Sequence, residues 1–160
     1  MPTLPQLIEE DISELNNALQ ELLIKSDASS AQVIDKGGFV ITQCGPTQQL
    51  DLTTLAALCA ASYAATETIA SLVGESNFSS VYQQGDKASL LVMNVDQYCL
   101  LSAIFKATLS VGAIKYYAVD TTKKIAAQLK VAEQRTPGGG LDLSMLNLAD
   151  PSAVFKIKVA

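Results

Sequence analysis

The chain has 160 residues, of which 49% are hydrophobic, and it carries a formal net charge of −5. Its 11 basic residues are scattered and are outnumbered by 16 acidic ones, which argues against nucleic acid or an anionic membrane surface as a partner. The sequence contains no histidine, so the commonest general base, the Ser–His and Cys–His nucleophile pairs and most transition-metal sites are excluded.

The cysteines Cys44, Cys59 and Cys99 are odd in number and lie far apart in the sequence, without a Cys-x-x-Cys pair. This pattern indicates neither a disulfide framework nor a zinc site. We therefore predict no metal, no cofactor and no catalytic residues, so the chain is not expected to be an enzyme.

The N-terminal segment MPTLPQLIEED is acidic and has no apolar core, which predicts no secretory signal and a cytoplasmic location.

The first elements of the chain are a helix and a hairpin. Residues 7–25 carry apolar side chains at helical spacing and an acidic outer face, which predicts an amphipathic helix. Two short β-prone runs follow, residues 31–35 and 39–43. Between them lies Lys36-Gly37-Gly38, a tight glycine turn typical of a β-hairpin.

A second helix is predicted over residues 52–73, LTTLAALCAASYAATETIASLV. Asp51 or Thr53 can cap its start, and Gly74 is placed to end it. The segment is long enough to span a bilayer, but Glu67 lies near its middle and no Lys or Arg flanks it. A soluble helix is therefore expected.

The two sides of this helix differ in the size of their side chains when residues are placed at 100° intervals. The inward side is predicted to consist of Leu55, Leu58, Cys59, Ser62, Thr66, Ile69, Leu72 and Val73. The outward side is predicted to consist of Ala57, Ala60, Ala61, Ala64, Thr68 and Ser71, where an ordinary surface helix would carry Lys and Glu. Either the helix is buried on both sides within its own domain, or this outward side binds a second copy, another protein, or both.

The last elements are three strands and a helix. Strands are predicted at residues 78–83, 88–94 and 98–105, and the first of them is expected at a sheet edge. A final helix starts near Ser110 and runs to about Lys130, with an apolar stripe made of Val111, Ile114, Val119, Ile125 and Leu129.

The predicted domain covers residues 5–135, and residues 136–160 are predicted to form a linker and a C-terminal tail. The run Pro137-Gly138-Gly139-Gly140 begins this tail. It lacks the Lys-Ser/Thr that follows the glycines of a phosphate-binding loop, so a nucleotide site is not expected.

The order of elements and several motifs together resemble the roadblock (dynein light-chain roadblock-type) family, and most closely its bacterial MglB-like branch. That branch has an Asp-Lys-x-Gly hairpin, an Asp-x-Thr-x-Leu-Ala-x-Leu helix rich in alanine, and a Leu-x-Gly-Glu end before a Phe. The similarity covers roughly residues 8 to 133. The matching residues are Asp35, Lys36, Gly38, Asp51, Thr53, Leu55, Ala56, Leu58, Leu72, Gly74, Glu75 and Phe78.

The resemblance implies an α/β (α+β) fold, a roadblock-like α-β-β-α-β-β-β-α sandwich with a five-stranded antiparallel sheet. It also implies a homodimer in which the central helices lie side by side and the sheets join. The partner would be a small Ras-like GTPase of the MglA type, bound on the outward side of the central helix, with Ala64 and Thr68 at its centre. MglB-like proteins stimulate GTP hydrolysis, in cell polarity or gliding motility.

Two further expectations concern mechanism. The chain has one arginine, Arg135, which lies far in sequence from the central helix, so stimulation without an arginine finger is expected. The resemblance implies the same, because such activators reshape the switch loops of the GTPase. Roadblock domains also serve as plain scaffolds, so the alternative is a dimeric adaptor that has no effect on hydrolysis.

Overall fold

The computed structural model describes residues 2–135, and the predicted linker and tail at residues 136–160 lie outside this range. The eight elements occur in the predicted order, and the predicted roadblock-like fold class is confirmed. The helices are α1 (Glu9–Ser26), α2 (Leu52–Leu72) and α3 (Val111–Arg135). The strands are β1 (Ser30–Asp35), β2 (Val40–Cys44), β3 (Ser80–Gln84), β4 (Ala88–Asn94) and β5 (Cys99–Lys106).

The five strands form one antiparallel sheet in the order β2-β1-β5-β4-β3. Its two edges differ. The β2 edge lies against α1, where the Asn16 side-chain amide donates to the carbonyl oxygen of Gln43 at 3.1 Å. The predicted edge strand, β3, is at the opposite edge and is paired only with β4 within residues 2–135.

The sheet separates two hydrophobic cores of unequal size. Helices α1 and α3 pack side by side on one face, over residues such as Val33, Leu91, Leu101 and Phe105. Helix α2 covers the other face alone, over a smaller core formed by Ile34, Val92, Leu100 and residues of α2 itself. The fold therefore presents one two-helix face and one single-helix face.

Helix α3 differs from its prediction in two respects. It continues to Arg135 rather than ending near Lys130. Val119, predicted in the buried stripe, is 38% exposed, whereas Ala118 and Thr122 are buried. The buried stripe therefore includes small and polar side chains that an apolar pattern does not detect.

A charged contact joins the start of α1 to the end of α3. The fully buried carboxylate of Asp11 accepts two bonds from the Arg135 guanidinium, at 2.7 and 3.1 Å, and one from the Gln128 amide at 2.7 Å. It also accepts the backbone N–H of Ile8 at 2.9 Å. The bonds from Arg135 in particular hold the pKa of Asp11 well below its usual range.

This lowered pKa predicts a pH-dependent stability. The contribution of Asp11 is complete above the pKa of an unfolded aspartate, about 3.9, and is lost as the pH falls towards the lower folded-state pKa. Urea unfolding of the wild type and Asp11→Asn, at pH 7 and at pH values below about 4, should show a stability gap that narrows in acid. A gap that is independent of pH would contradict the role given to this carboxylate.

Candidate partner-binding surface on the central helix

The ends of α2 are fixed by local hydrogen bonds. Asp51 caps the start, because its carboxylate accepts the Thr54 backbone N–H at 3.0 Å and the Thr54 hydroxyl at 2.6 Å. At the other end Gly74 adopts φ +79°, and the Glu75 N–H bonds to the Ala70 carbonyl oxygen at 2.9 Å. This is the glycine-ended helix terminus that the sequence predicts.

By length and composition, α2 is the one helix within residues 2–135 that could cross a membrane. In this fold it packs across the sheet instead. Its sheet-facing side is made mostly of small side chains. The buried residues of α2 are Ala56, Cys59, Ala60, Tyr63 and Ala70.

Tyr63 is the one large side chain on this buried side. It contacts the segment just before β3 and also the β1–β2 hairpin. Its hydroxyl donates to the Phe78 carbonyl oxygen at 3.1 Å, just before β3, and accepts from the Asn77 side-chain amide at 3.0 Å. Lys36, from the β1–β2 hairpin, places its ammonium 5.6 Å from the centroid of the Tyr63 ring. Burial raises the pKa of Tyr63, so the hydroxyl remains a donor at neutral pH.

Five of the six predicted outward residues are exposed, and one is not. Ala60 is only 8% exposed and belongs to the core under α2, so its assignment to the outward side is wrong. The exposed five define the small-residue stripe. They are Ala57, Ala61, Ala64, Thr68 and Ser71.

The predicted inward side is wrong in more positions. Leu58 is 62% exposed, Ile69 51% and Leu72 81%, and Val73 is exposed as well. The physical reason is that the sheet-facing side of α2 is occupied by Ala56, Cys59, Ala60 and Tyr63, so its larger aliphatic side chains lie on other sides of the helix. Tyr63 is the one aromatic residue of α2 and is almost fully buried. Its position in the sequence could have indicated which side of the helix faces the sheet.

Leu58, Ile69 and Leu72 belong to a second stripe, whose residues are exposed or half-buried and alternate in spacing between three and four, as is typical of a helix–helix seam. We call it the heptad stripe. It consists of Leu55, Leu58, Ser62, Ala65, Ile69 and Leu72. Around the helix axis it is rotated by roughly 100° from the small-residue stripe, at 100° per residue.

The two stripes face different parts of the sheet. Leu55, in the heptad stripe, shares a cavity of about 430 Å³ with Gln83 and Gln84 of β3. Ala57, in the small-residue stripe, lies by the β1–β2 hairpin, where a Cβ on Gly38 would come within 3.1 Å of its Cα. The heptad stripe is therefore on the same side of the molecule as the unpaired edge of β3.

Neither stripe carries a charge. Glu67 is the single Asp, Glu, Lys or Arg in α2, and its carboxylate lies 4.0 Å from the Lys36 ammonium, at the border of the sheet-facing side. A long, exposed, uncharged helix face is unusual for a soluble monomer and is typical of an interface.

Two of the three cysteines, Cys59 and Cys99, are buried. Burial raises the pKa of the Cys59 and Cys99 thiols, so both are protonated and unreactive at neutral pH. No group of three or more His, Cys, Asp or Glu residues in the range 2–135 is placed to hold a metal ion.

Comparison with known proteins identifies the family to which this fold belongs. A model of the Roadblock/LC7 domain matches residues 14–105, more than half of the chain, so the chain belongs to the Roadblock/LC7 family. No curated protein sequence matches it significantly.

Among solved structures the chain is similar to MglB proteins. It is 28% identical to Myxococcus xanthus MglB, with a TM-score of 0.74 over 79% of this chain and 96% of that one. It is 27% identical to the gliding protein MglB of Thermus thermophilus, with a TM-score of 0.74 over 82% and 99%. An MglB described as having a tetrameric arrangement gives 27% identity and a TM-score of 0.76, over 82% and 99%.

The corrected orientation of α2 can be tested with two neighbouring alanines. Ala60→Arg would force a charged side chain into the core under α2, so we expect it to lower the free energy of unfolding by about 3 kcal/mol or more. Ala61→Arg, on the exposed small-residue stripe, should change it by less than about 0.5 kcal/mol. Urea unfolding of both variants measures this, and equal destabilisation would mean that α2 is rotated relative to this account.

Proposed function

We propose that this protein is a soluble, cytoplasmic homodimer that regulates a small Ras-like GTPase of the MglA type, stimulating GTP hydrolysis without catalytic residues of its own. The observation that carries the proposal is the exposed, uncharged face of α2, on a fold similar to MglB. By this similarity, the processes that it would serve are cell polarity or gliding motility.

The dimer would use the heptad stripe together with the edge of β3. Both lie on the same side of the molecule, so two copies related by a twofold axis can join their sheets and their α2 helices at once. Antiparallel α2 helices would then place Leu58 against Ile69 of the partner subunit. Ser62 would face Ala65 of the partner subunit near the axis, where small side chains permit close approach.

The GTPase would bind the small-residue stripes, which this arrangement leaves uncovered on both subunits. Side chains such as Ala64 and Thr68 allow another backbone to come close, and they add no desolvation cost for buried charge. Because the axis passes between the two helices, a single GTPase lying across it would contact both subunits.

An arginine finger is not needed for this mechanism. Arg135 is paired with Asp11 at 2.7 Å, on the two-helix face opposite α2. Stimulation would instead come from tighter binding to the hydrolysis-competent conformation of the switch loops than to the resting one. A hundredfold acceleration requires about 2.7 kcal/mol of such preference.

The first test is GTP turnover by an MglA-type GTPase from the same organism, with and without this protein. We expect acceleration by the wild type, and loss of both binding and acceleration in Ala64→Arg and Thr68→Arg, with affinity reduced at least about tenfold. Both variants should remain dimers in sedimentation, because the heptad stripe is unchanged. Unchanged stimulation by both variants would move the interface away from the small-residue stripe.

The same assay distinguishes the adaptor alternative. Binding of the GTPase that depends on Ala64 and Thr68 but leaves the hydrolysis rate unchanged would make the protein a dimeric roadblock scaffold.

The role of Arg135 gives a separate prediction. A catalytic finger would lose on the order of a thousandfold in stimulated turnover on Arg135→Ala. We expect stimulated turnover to change by less than about threefold, because the Arg135 guanidinium is hydrogen-bonded to Asp11. The measurement is made under conditions in which the variant is folded. Asp11→Asn is the matched control, since it disturbs the same contact without removing the arginine. A large loss in Arg135→Ala alone would restore the finger.

A further inference from the structure

The two-helix face carries a groove that the proposed function does not use. Two adjoining cavities of about 420 and 430 Å³ follow the line between α1 and α3 and share Glu21. One is lined by Tyr116, Tyr117 and Val119, and the other by Ala18, Ala127 and Val131, together with polar residues of both helices.

Three apolar side chains along this groove are exposed to solvent. Tyr116 is 76% exposed, Val131 is 49% exposed, and Val119 also lies at the surface. They share one side of α3, on a face that is otherwise charged. At the middle of the groove the Glu21 carboxylate bonds to the ammonium groups of Lys25 and Lys124, and Lys124 also contacts Asp120 at 3.1 Å.

The chain leaves the described structure at one end of this groove. Arg135 lies four residues, or about 6 Å along the helix axis, beyond Val131. Its two bonds to the buried Asp11 fix this exit point beside the start of α1. Whatever follows Arg135 therefore begins next to the groove.

The sequence after Arg135 has the length and composition to fill it. Residues 136–140, TPGGG, include three glycines and can reach about 17 Å when extended, enough to reverse direction and return to Val131. Residues 141–148, LDLSMLNL, contain five large apolar side chains in eight positions. Eight residues can extend to about 26 Å, and the stretch of α3 from Val131 to Tyr116 is about 22 Å long.

We propose that residues 141–148 dock into the α1–α3 groove of their own subunit and cover Val131, Val119 and Tyr116. The contact would bury apolar surface that both the groove and the segment otherwise expose to water. It lies on the face of the sheet opposite α2, so it leaves both stripes of α2 free. The proposal is thus independent of the dimer and of the GTPase.

The test uses NMR of the full-length protein. Docking predicts nuclear Overhauser contacts between the methyl groups of residues 141–148 and those of Val119 and Val131. A mixed sample of labelled and unlabelled chains identifies contacts between subunits, and the proposal requires contacts within one chain. Contacts that occur only between chains would overturn it, and so would their complete absence.

A pair of variants checks the groove itself. Val131→Glu places a charge inside it, so we expect the methyl resonances of residues 141–148 to move to random-coil positions. Ile24→Glu is the matched control, because Ile24 is 80% exposed on α1 and does not line either cavity. Segment resonances that are unchanged by Val131→Glu, or changed equally by both variants, would contradict docking at this site.

Discussion

The packing of small side chains and one tyrosine between α2 and the sheet is the constraint on which the rest of this surface depends. Ala56, Cys59 and Ala60 pack in the core under α2, and Tyr63 is the one large side chain that the helix contributes to it. The Tyr63 hydroxyl then donates a hydrogen bond to the carbonyl oxygen of Phe78, just before β3. Because small residues occupy most of the buried side, Leu58, Ile69 and Leu72 lie at the surface instead.

This arrangement produces two exposed stripes with different properties. The heptad stripe has bulky aliphatic side chains at helix–helix spacing and lies beside the unpaired edge of β3. The small-residue stripe lies towards the β1–β2 hairpin and offers a smooth surface without charge. Under the proposed function the first joins two copies of the chain and the second receives the GTPase. A single helix could serve both partners because the stripes are rotated apart.

The sequence was sufficient to predict the eight elements and their order, since these depend on local periodicity and turn residues. The edge position of β3 was also predicted correctly, although strand order is a property of the whole sheet that local periodicity does not determine. It was not sufficient to orient α2. A pattern rule places large apolar residues inward, and here Leu58 and Leu72 are exposed while Ala60 is buried. The pairing of Asp11 with Arg135 was also beyond reach, because the two residues are 124 positions apart and no local pattern links them.

The central claim is that the heptad stripe, and not the small-residue stripe, joins two copies of the chain. Cysteine cross-linking tests it most directly, with Cys44 replaced by serine because the other two native cysteines are buried. In Ser62→Cys/Ala65→Cys, mild oxidation should give a covalent dimer on a non-reducing gel, because the two positions face each other across the axis. The matched variant Ala61→Cys/Ala64→Cys, with the same spacing on the small-residue stripe, should stay monomeric on that gel. A covalent dimer in the second variant but not in the first would contradict the account.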